Sequence, residues 1–214
     1  MIQLQHGRRF YLARHGDTND NRKGILSGRH NNTYLTKEGI GKAVDLQSLL
    51  QKLDPPVTHS TSSSLERAEI TNYLATFNMS VPQIPSSTDF DERDYENKGI
   101  PKTVDAESYE AHQERVVHGI NKLLEDPHCV PLIVCHGGTI RRVMDAIGNF
   151  QKAPDYIRVP NASVIEIVTP SSSNAQDWQI NVVSLGKNGI ERRPIALNAE
   201  MYRRKPDEPR GYNA

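Results

Sequence analysis

The chain is poor in cysteine, with only Cys129 and Cys135 among its 214 residues. Cys135 lies inside an apolar run, so the sequence argues against a disulfide scaffold and predicts reduced, buried thiols. Long hydrophobic runs are also missing, since no stretch approaches the roughly 20 apolar residues that a membrane helix needs. The N-terminal segment MIQLQHGRRF lacks the basic and then apolar layout of a secretory signal. These absences predict a cytoplasmic protein with no membrane partner.

An excess of charge of either sign is missing as well. Lys plus Arg and Asp plus Glu each total 26, and the sequence pI is about 7.1. Without an overall basic field, nucleic acid is not expected as a partner, although a local cluster can still hold a small anion. No feature of the sequence selects an oligomeric state, so a homodimer stays among the open alternatives.

The length predicts one domain with one sizeable core, because domains cluster near roughly 100–200 residues. We predict that this domain occupies residues 1–185. Residues 186–214 are rich in charge and proline. We therefore predict that they form a C-terminal extension that wraps the surface or remains mobile.

Strand-like apolar segments alternate with helical patterns along the predicted domain. Helices are predicted after the cap Thr36, from near Ser64, from Glu107 to Leu124, and after Gly137-Gly138. Strands are predicted at residues 9–13, at Val57 to Ser60, in VPLIVC, and in a hairpin formed by ASVIEIVT and WQINVVSL. This alternation predicts an α/β fold, a single-domain three-layer sandwich in which helices flank a mostly parallel mixed sheet.

Two predicted strands end in a histidine followed by glycine, in ARHG (His15) and CHGG (His136). Ligands of such sheets bind beyond the carboxyl ends of the strands, so both histidines are expected at one rim. The free amides of the helix after Gly137-Gly138 favour an anion there. Guanidinium groups match phosphoryl oxygens, and the candidates are Arg14, Arg67 and Arg141.

Imidazole beside guanidinium groups is suited to nucleophilic attack on phosphorus. A nearby cation disfavours protonation of the ring, so the attacking nitrogen stays free and a phosphohistidine can form. The departing oxygen then needs a proton, which a carboxyl group usually supplies. The residues alone do not choose between the two histidines. They also do not choose among the carboxylates of the acidic loop, which are Asp89, Asp91, Glu92, Asp94 and Glu96.

Five ordered motifs resemble the histidine phosphatase superfamily, also called the phosphoglycerate mutase-like family. They are ARHGDT with Asn21, SLERAEIT, ERDY, VCHGGTIR and PNAS. The resemblance runs from about residue 9 to residue 168. It implies a metal-independent phosphoric monoester hydrolase of the histidine acid phosphatase type that needs no cofactor. The other histidines have no patterned partners, so no metal site is predicted.

The resemblance also implies roles for individual residues. His15 is the phosphorylated nucleophile, and Glu92 falls where the family carries its proton donor, with Asp91 as the second choice. The implied phosphate pocket consists of Arg14, Arg67 and His136. Further candidate substrate contacts are Asn21, Ser27, Gly28 and Gly137, although Asn21 and Ser27 are equally suited to stabilising their own loop.

A phosphatase is favoured over a phosphoglycerate mutase. Mutases that resemble this family carry a long insertion before the second histidine, whereas Glu92 and His136 are only 136 − 92 = 44 positions apart. An open site admits water, while a mutase must shelter its phosphohistidine. A binding module without turnover is the other alternative, because Glu96-Asn97-Lys98 delay the glycine expected soon after the acid. The expected substrate is a small phosphorylated molecule of unspecified kind.

Overall fold

The computed structural model describes residues 4–31, 33–93, 107–148, 159–171 and 178–195. The strands are β1 (Arg9–Arg14), β2 (His59–Ser62), β3 (Pro131–Cys135), β4 (Val164–Val168), β5 (Gln179–Gly186) and β6 (Gly189–Pro194). The helices are α1 (Asn19–Lys23), α2 (Lys37–Leu50), α3 (Glu66–Thr76), α4 (Tyr109–Leu123) and α5 (Gly137–Gly148). One 3₁₀ turn, Thr88–Phe90, precedes the acidic loop.

The strands form one mixed sheet in the order β2-β3-β1-β4-β5-β6. β1 and β2 both pair with β3 in parallel, while β4, β5 and β6 follow as an antiparallel meander. The mixed α/β fold and the β4–β5 hairpin predicted from the sequence are confirmed. Antiparallel pairs nevertheless outnumber parallel ones, because the second half of the sheet is built from hairpins that need no crossover helix.

Helices cover both faces of this sheet, which confirms the three layers. Along β1, Phe10 and Leu12 pack into a core with α4 and α5. The alternate residues Tyr11 and Ala13 pack into the core of α2 and α3. Both faces of the strand are therefore buried, as expected for a central strand whose side chains alternate in direction.

Two helix predictions need correction at their ends. The side chain of Thr36 caps α2 as predicted, accepting a hydrogen bond from the amide of Gly39 at 3.0 Å. The spacing of apolar residues also predicts Ile40 on the buried face of this helix, whereas the structure shows Ile40 exposed and Leu49 buried. α3 begins at Glu66 with Leu65 as its N-cap and no side-chain cap, so the predicted serine cap near Ser64 is wrong. The hydroxyls of Ser63 and Ser64 donate to the carboxylate of Asp91 instead.

The boundary predicted at residue 186 is also wrong. β6 pairs with β5 from Asn181↔Pro194 to Gly186↔Gly189, so the sheet continues to the edge strand. Arg192 of β6 donates to the buried carboxylate of Glu166 at 2.9 Å, and Arg9 donates to the same carboxylate at 2.6 Å. Arg192 of β6 thus has a charged partner inside the sheet. The remainder of the predicted extension, residues 196–214, lies outside the described residues. Within the described ranges, no helix has both the length and the apolar character to cross a bilayer.

Candidate active site

The parallel pairing of β1 with β3 brings two distant histidines together. The register places Arg14 opposite Cys135, so the next residues are neighbours. The ring centroids of His15 and His136 are 5.1 Å apart, and the rings are tilted by 59°. Their exposed fractions are 3% and 1%. The structure therefore joins the two histidines at the carboxyl end of the sheet, where the sequence predicted them.

The surroundings of His15 determine which of its nitrogens is free. Nδ1 lies 2.7 Å from the carbonyl oxygen of Gly16, which can only accept, so Nδ1 carries the proton. In the neutral ring, Nε2 then keeps its lone pair. Burial, followed by the charges of Arg67 and Arg14, holds the pKa of His15 well below its usual range. His15 is thus a neutral imidazole with Nε2 available for attack.

Arg14 is a buried cation with unused hydrogen-bonding capacity. Burial and then the neighbouring Arg141 lower the pKa of Arg14 to about 10. One of its terminal nitrogens donates to the carbonyl of Val159 at 2.5 Å, while Nε has no partner among the described residues. A Cβ added to Gly137 would lie 3.5 Å from that Nε. An anion at the start of α5 would meet this unpaired donor and the helix N-terminus together.

Arg67 is 2% exposed in the first turn of α3, an unfavourable place for a cation. It donates to the carbonyls of Gly28 and Asn31 at 2.9 and 3.1 Å. Burial lowers the pKa of Arg67, and Glu92 is the first of the carboxylates that oppose this effect. Arg67 therefore combines a positive charge beside both histidines with an anchor for the loop after α1.

Three residues predicted to contact substrate, Asn21, Ser27 and Gly28, lie in α1 and the loop that follows it, and all three form hydrogen bonds. Ser27 donates its hydroxyl proton to Asp20 at 2.9 Å, and Gly28 offers its carbonyl to Arg67 with φ at 57°. The side-chain oxygen of Asn21 accepts from the amide of Thr18 at 3.2 Å. The structure thus shows these residues stabilising the loop, and a direct contact with substrate stays a prediction for each of them.

Asn161, in the motif PNAS, supports the segment around His15. Its amide donates to the carbonyls of His15 and Gly16 at 3.1 and 3.2 Å and to the oxygen of Asn21 at 3.0 Å. These bonds tie the entry of β4 to the segment that carries His15. The motif PNAS was the only sequence signal for this supporting role. Ala162, the next residue, adopts a positive φ of 56°.

Glu92 lies at the N-terminus of α5, the helix that directly follows His136. Its carboxylate accepts from the amide of Gly138 at 3.0 Å, where the helix dipole favours a negative charge. A Cβ on Gly138 would come within 2.0 Å of that carboxylate, so only glycine leaves room for this placement. The structure therefore brings Glu92 to the start of α5, where it interacts electrostatically with Arg14 and Arg67. Asp94 and Glu96 lie outside the described residues.

Asp91 is placed differently from its neighbour. It is 2% exposed, although it lies in a loop that is rich in charged residues. Its carboxylate accepts from the hydroxyl of Ser63 at 2.7 Å and from the amide of Ser64 at 2.8 Å. These hydrogen bonds hold the Asp91 carboxylate against Ser63 and Ser64, and the choice between Glu92 and Asp91 as proton donor stays a prediction. The sequence reasoning missed the link from Ser63 to His136, whose Nε2 lies 2.8 Å from the Ser63 hydroxyl oxygen.

Metal ligation has no candidate set in the described parts of the chain. No group of three or more His, Cys, Asp and Glu side chains there is arranged to hold a metal ion. The arrangement instead offers a neutral imidazole, an unpaired guanidinium nitrogen, helix amides and one carboxylate around a common space. These groups can bind a phosphoryl anion, attack it and protonate a leaving oxygen.

Comparison with known proteins agrees with this geometry. A family model described as histidine phosphatase superfamily (branch 1) matches residues 10–98 and 88–181. The adenosylcobalamin/alpha-ribazole phosphatase of Salmonella typhimurium is 38% identical over 107 residues, which are 48% of this chain and 52% of that protein. The chain therefore spans about half the length of this curated relative in the alignment.

Two solved structures show the same fold. The alpha-ribazole phosphatase from Shigella flexneri has a TM-score of 0.62 and 24% identity, covering 87% of this chain and 95% of that chain. A mycobacterial glucosyl-3-phosphoglycerate phosphatase has a TM-score of 0.62 and 18% identity, covering 82% and 97%. At these identities the likeness establishes the shared architecture and leaves the substrate open.

Proposed function

This chain belongs to the histidine phosphatase superfamily (branch 1), and from that premise we propose that it is a phosphomonoesterase. The observation that carries the proposal is the pair of buried rings 5.1 Å apart, one of which keeps a free Nε2 beside two arginines. This is the arrangement that a phosphohistidine intermediate requires.

The proposed reaction has two steps. Nε2 of His15 attacks phosphorus, the bond to the leaving oxygen breaks, and Glu92 gives that oxygen a proton. Water then attacks the phosphohistidine, with the same carboxylate accepting its proton. Arg14 and Arg67 balance the charge of the transferred group, and their guanidinium donors stabilise the oxygens on which charge develops. The reaction as written needs no metal ion, so we propose that chelators leave the activity unchanged.

A phosphoglycerate mutase is the second candidate. Hydrolysis is favoured because only 44 positions separate Glu92 from His136, which leaves no room for the long insertion of the mutases. The names of the relatives support the same choice, since the Salmonella and Shigella proteins are named phosphatases. The substrate is a small phosphorylated metabolite, and alpha-ribazole 5′-phosphate belongs in the first test panel.

The test compares wild-type protein with His15→Ala in the hydrolysis of p-nitrophenyl phosphate. We expect the variant to lose at least about a thousandfold in rate, or ~4 kcal/mol of barrier, because the covalent route disappears. His118→Ala, on the exposed side of α4, is the matched control and keeps the wild-type rate. Equal, negligible rates for wild type and His15→Ala would instead favour a module that binds phosphorylated ligands without turnover.

Trapping of the intermediate separates the remaining alternatives. Radiolabelled substrate, quenched in base, is expected to label His15, and the label is expected to leave as inorganic phosphate. Transfer of the label to a second hydroxyl without release would identify a mutase.

We also propose a cytoplasmic location, since the chain keeps two free cysteines, Cys129 and Cys135, both buried. Reducing compartments preserve such thiols. Cell fractionation tests this proposal, and recovery from an oxidising compartment would contradict it.

A further inference from the structure

A buried set of hydrogen bonds links His136 to a carboxylate outside the phosphate pocket. Nε2 of His136 is 2.8 Å from Oγ of Ser63, and that hydroxyl donates to Oδ1 of Asp91 at 2.7 Å. All three side chains are buried. We call these residues the Asp91–Ser63–His136 triad.

The bonds of the Ser63 hydroxyl determine where the proton of His136 lies. A hydroxyl has one proton to donate and two lone pairs to accept with. The Ser63 proton goes to Asp91, and one lone pair accepts from the amide of Leu65 at 3.1 Å. The remaining lone pair faces Nε2 of His136, so Nε2 must be the donor. Nδ1 is then the nitrogen left for a ligand, and it has no partner among the described residues.

Asp91 is held rigidly as the charged end of this triad. Its carboxylate also accepts from the amide and the hydroxyl of Ser64 at 2.8 and 2.9 Å, and from Nε of Arg29 at 3.3 Å. The Asp91 carbonyl accepts from Nε2 of His112 at 3.2 Å and from the hydroxyl of Thr139 at 3.1 Å. The negative charge therefore has a fixed position relative to the His136 ring.

We propose that Ser63 and Asp91 are positioning residues that hold the Nε2 proton of His136 and stabilise the imidazolium that forms when the phosphoryl group binds. In this event His136 takes one proton from solvent at Nδ1 and donates it as a hydrogen bond to a phosphoryl oxygen. The other proton stays on Nε2 and remains hydrogen-bonded to Oγ of Ser63, and no covalent bond between heavy atoms changes. This inference rests on the proposed function, because it assigns the phosphoryl group to the same pocket.

The groups around His136 explain why the proton arrives only with the anion. Burial, then Arg67, His15, Arg14 and His112, hold the pKa of His136 well below its usual range in the free protein. The carboxylate of Glu92 faces the same pocket from the N-terminus of α5. A bound dianion offsets the two guanidinium charges, and Asp91 then supplies the negative charge on the other side of the ring.

The first experiment observes His136 directly in the wild-type protein. Histidines labelled with ¹⁵N report the protonation of each ring nitrogen, and His136→Asn identifies the signals. Near pH 7.5 we expect a neutral ring protonated at Nε2, which becomes doubly protonated on addition of sulfate, an anion that does not titrate there. A free ring protonated at Nδ1, or a ring that stays neutral in the sulfate complex, would overturn the proposal.

The second experiment removes the charge and keeps the shape. Asp91→Asn retains an oxygen for the Ser63 hydroxyl and the Ser64 amide. We expect its sulfate affinity to fall about tenfold, and the protonation of His136 in the complex to move to lower pH by about one unit. Ser64→Ala is the matched control, because it removes a hydroxyl from Asp91 without touching the contact with His136. An equal loss in Ser64→Ala would assign the effect to loop packing and refute the triad.

A double-mutant cycle keeps the test decisive if one variant folds poorly. The Asp91 charge acts through Ser63, so adding Asp91→Asn to Ser63→Ala should weaken sulfate binding by much less than Asp91→Asn does alone. Additive losses would contradict the proposal, and thermal unfolding of each variant identifies any that are unfolded. Neither binding nor NMR requires turnover. A protein that protonates His136 with sulfate but hydrolyses no phosphomonoester would refute the proposed function and leave this inference standing.

Discussion

Arg67 affects the nucleophile through its charge more than through direct contact. It is the first charge, after burial, among the causes that depress the pKa of His15, and it is also the first for His136. Its own hydrogen bonds go to the loop carbonyls of Gly28 and Asn31. The charge and the anchoring role can therefore be separated by experiment, because a pH profile reports the first and KM reports the second.

Arg67→Gln is expected to move the acid limb of the kcat/KM profile to higher pH by about one unit. The physical reason is that removing a cation raises the pKa of His15, so the nucleophile becomes protonated, and inactive, at a higher pH. The measurement is the pH dependence of kcat/KM, corrected for the ionisation of the substrate. Arg193→Gln, on the edge strand β6, removes a distant guanidinium and should leave the profile unchanged. An unmoved acid limb in Arg67→Gln would show that burial and Arg14 keep His15 neutral without the charge of Arg67.

At the level of elements, the start of α5 depends on the absence of a side chain. Gly138→Ala would place a Cβ 2.0 Å from the Glu92 carboxylate, and the flexible carboxylate is the group that moves. We expect a fall in kcat of about a hundredfold with an alkyl phosphate and a smaller fall with p-nitrophenyl phosphate. The difference arises because a good leaving group needs little help from a general acid.

Steady-state kinetics on the two substrates test this prediction. Gly41→Ala, in a helix position with no atom within 4 Å of the added Cβ, is the matched control and should keep full activity. An equal loss on both substrates would mean that Gly138→Ala damages phosphate binding and not proton donation.

Elements built from local patterns could be predicted from the sequence, and contacts between distant segments could not. The motifs ARHG and CHGG could be placed at one rim because parallel strands end at the same edge of a sheet. The serines before α3 indicated a helix cap near Ser64, because a serine before an apolar run can serve as one, and nothing local singled out Ser63. Its contact with Asp91 spans 28 positions and depends on where β2 ends relative to the acidic loop.

The edge strand β6 also could not be predicted from its local sequence. Its sequence GIERRP has no apolar alternation, so nothing local predicts a strand. It pairs with β5 along six residues, and Arg192 bonds to a carboxylate on β4 that is buried only once the sheet exists. Glu92 could be chosen over its neighbours only by resemblance, since the spacing of five carboxylates does not reveal which one faces α5.

On the scale of the whole molecule, buried neutral histidines make stability depend on pH. Burial is the main cause that lowers the pKa of His112 to about 4, from 6.5 in the unfolded chain. The unfolded state therefore binds more protons between these values, and the free energy of unfolding falls as the pH drops from 6.5 towards 4. His15 and His136 contribute in the same direction. The depressed pKa values of Glu107 and Glu166 act in a separate window, below about pH 4.5.

His112→Gln is expected to flatten this dependence, because glutamine can still donate to the Asp91 carbonyl but does not titrate. One titrating proton changes the free energy of unfolding by about 1.4 kcal/mol per pH unit. Between pH 6.5 and 4, the free energy of unfolding of the variant should therefore fall less steeply than that of the wild type, by about this slope. Urea unfolding at half-unit steps of pH measures the slope in both proteins, and His118→Gln, exposed on the same helix, serves as the control. Equal slopes in wild type and His112→Gln would show that His112 is already protonated in the folded protein, and the packing of α4 against the acidic loop would then have to accommodate a buried cation.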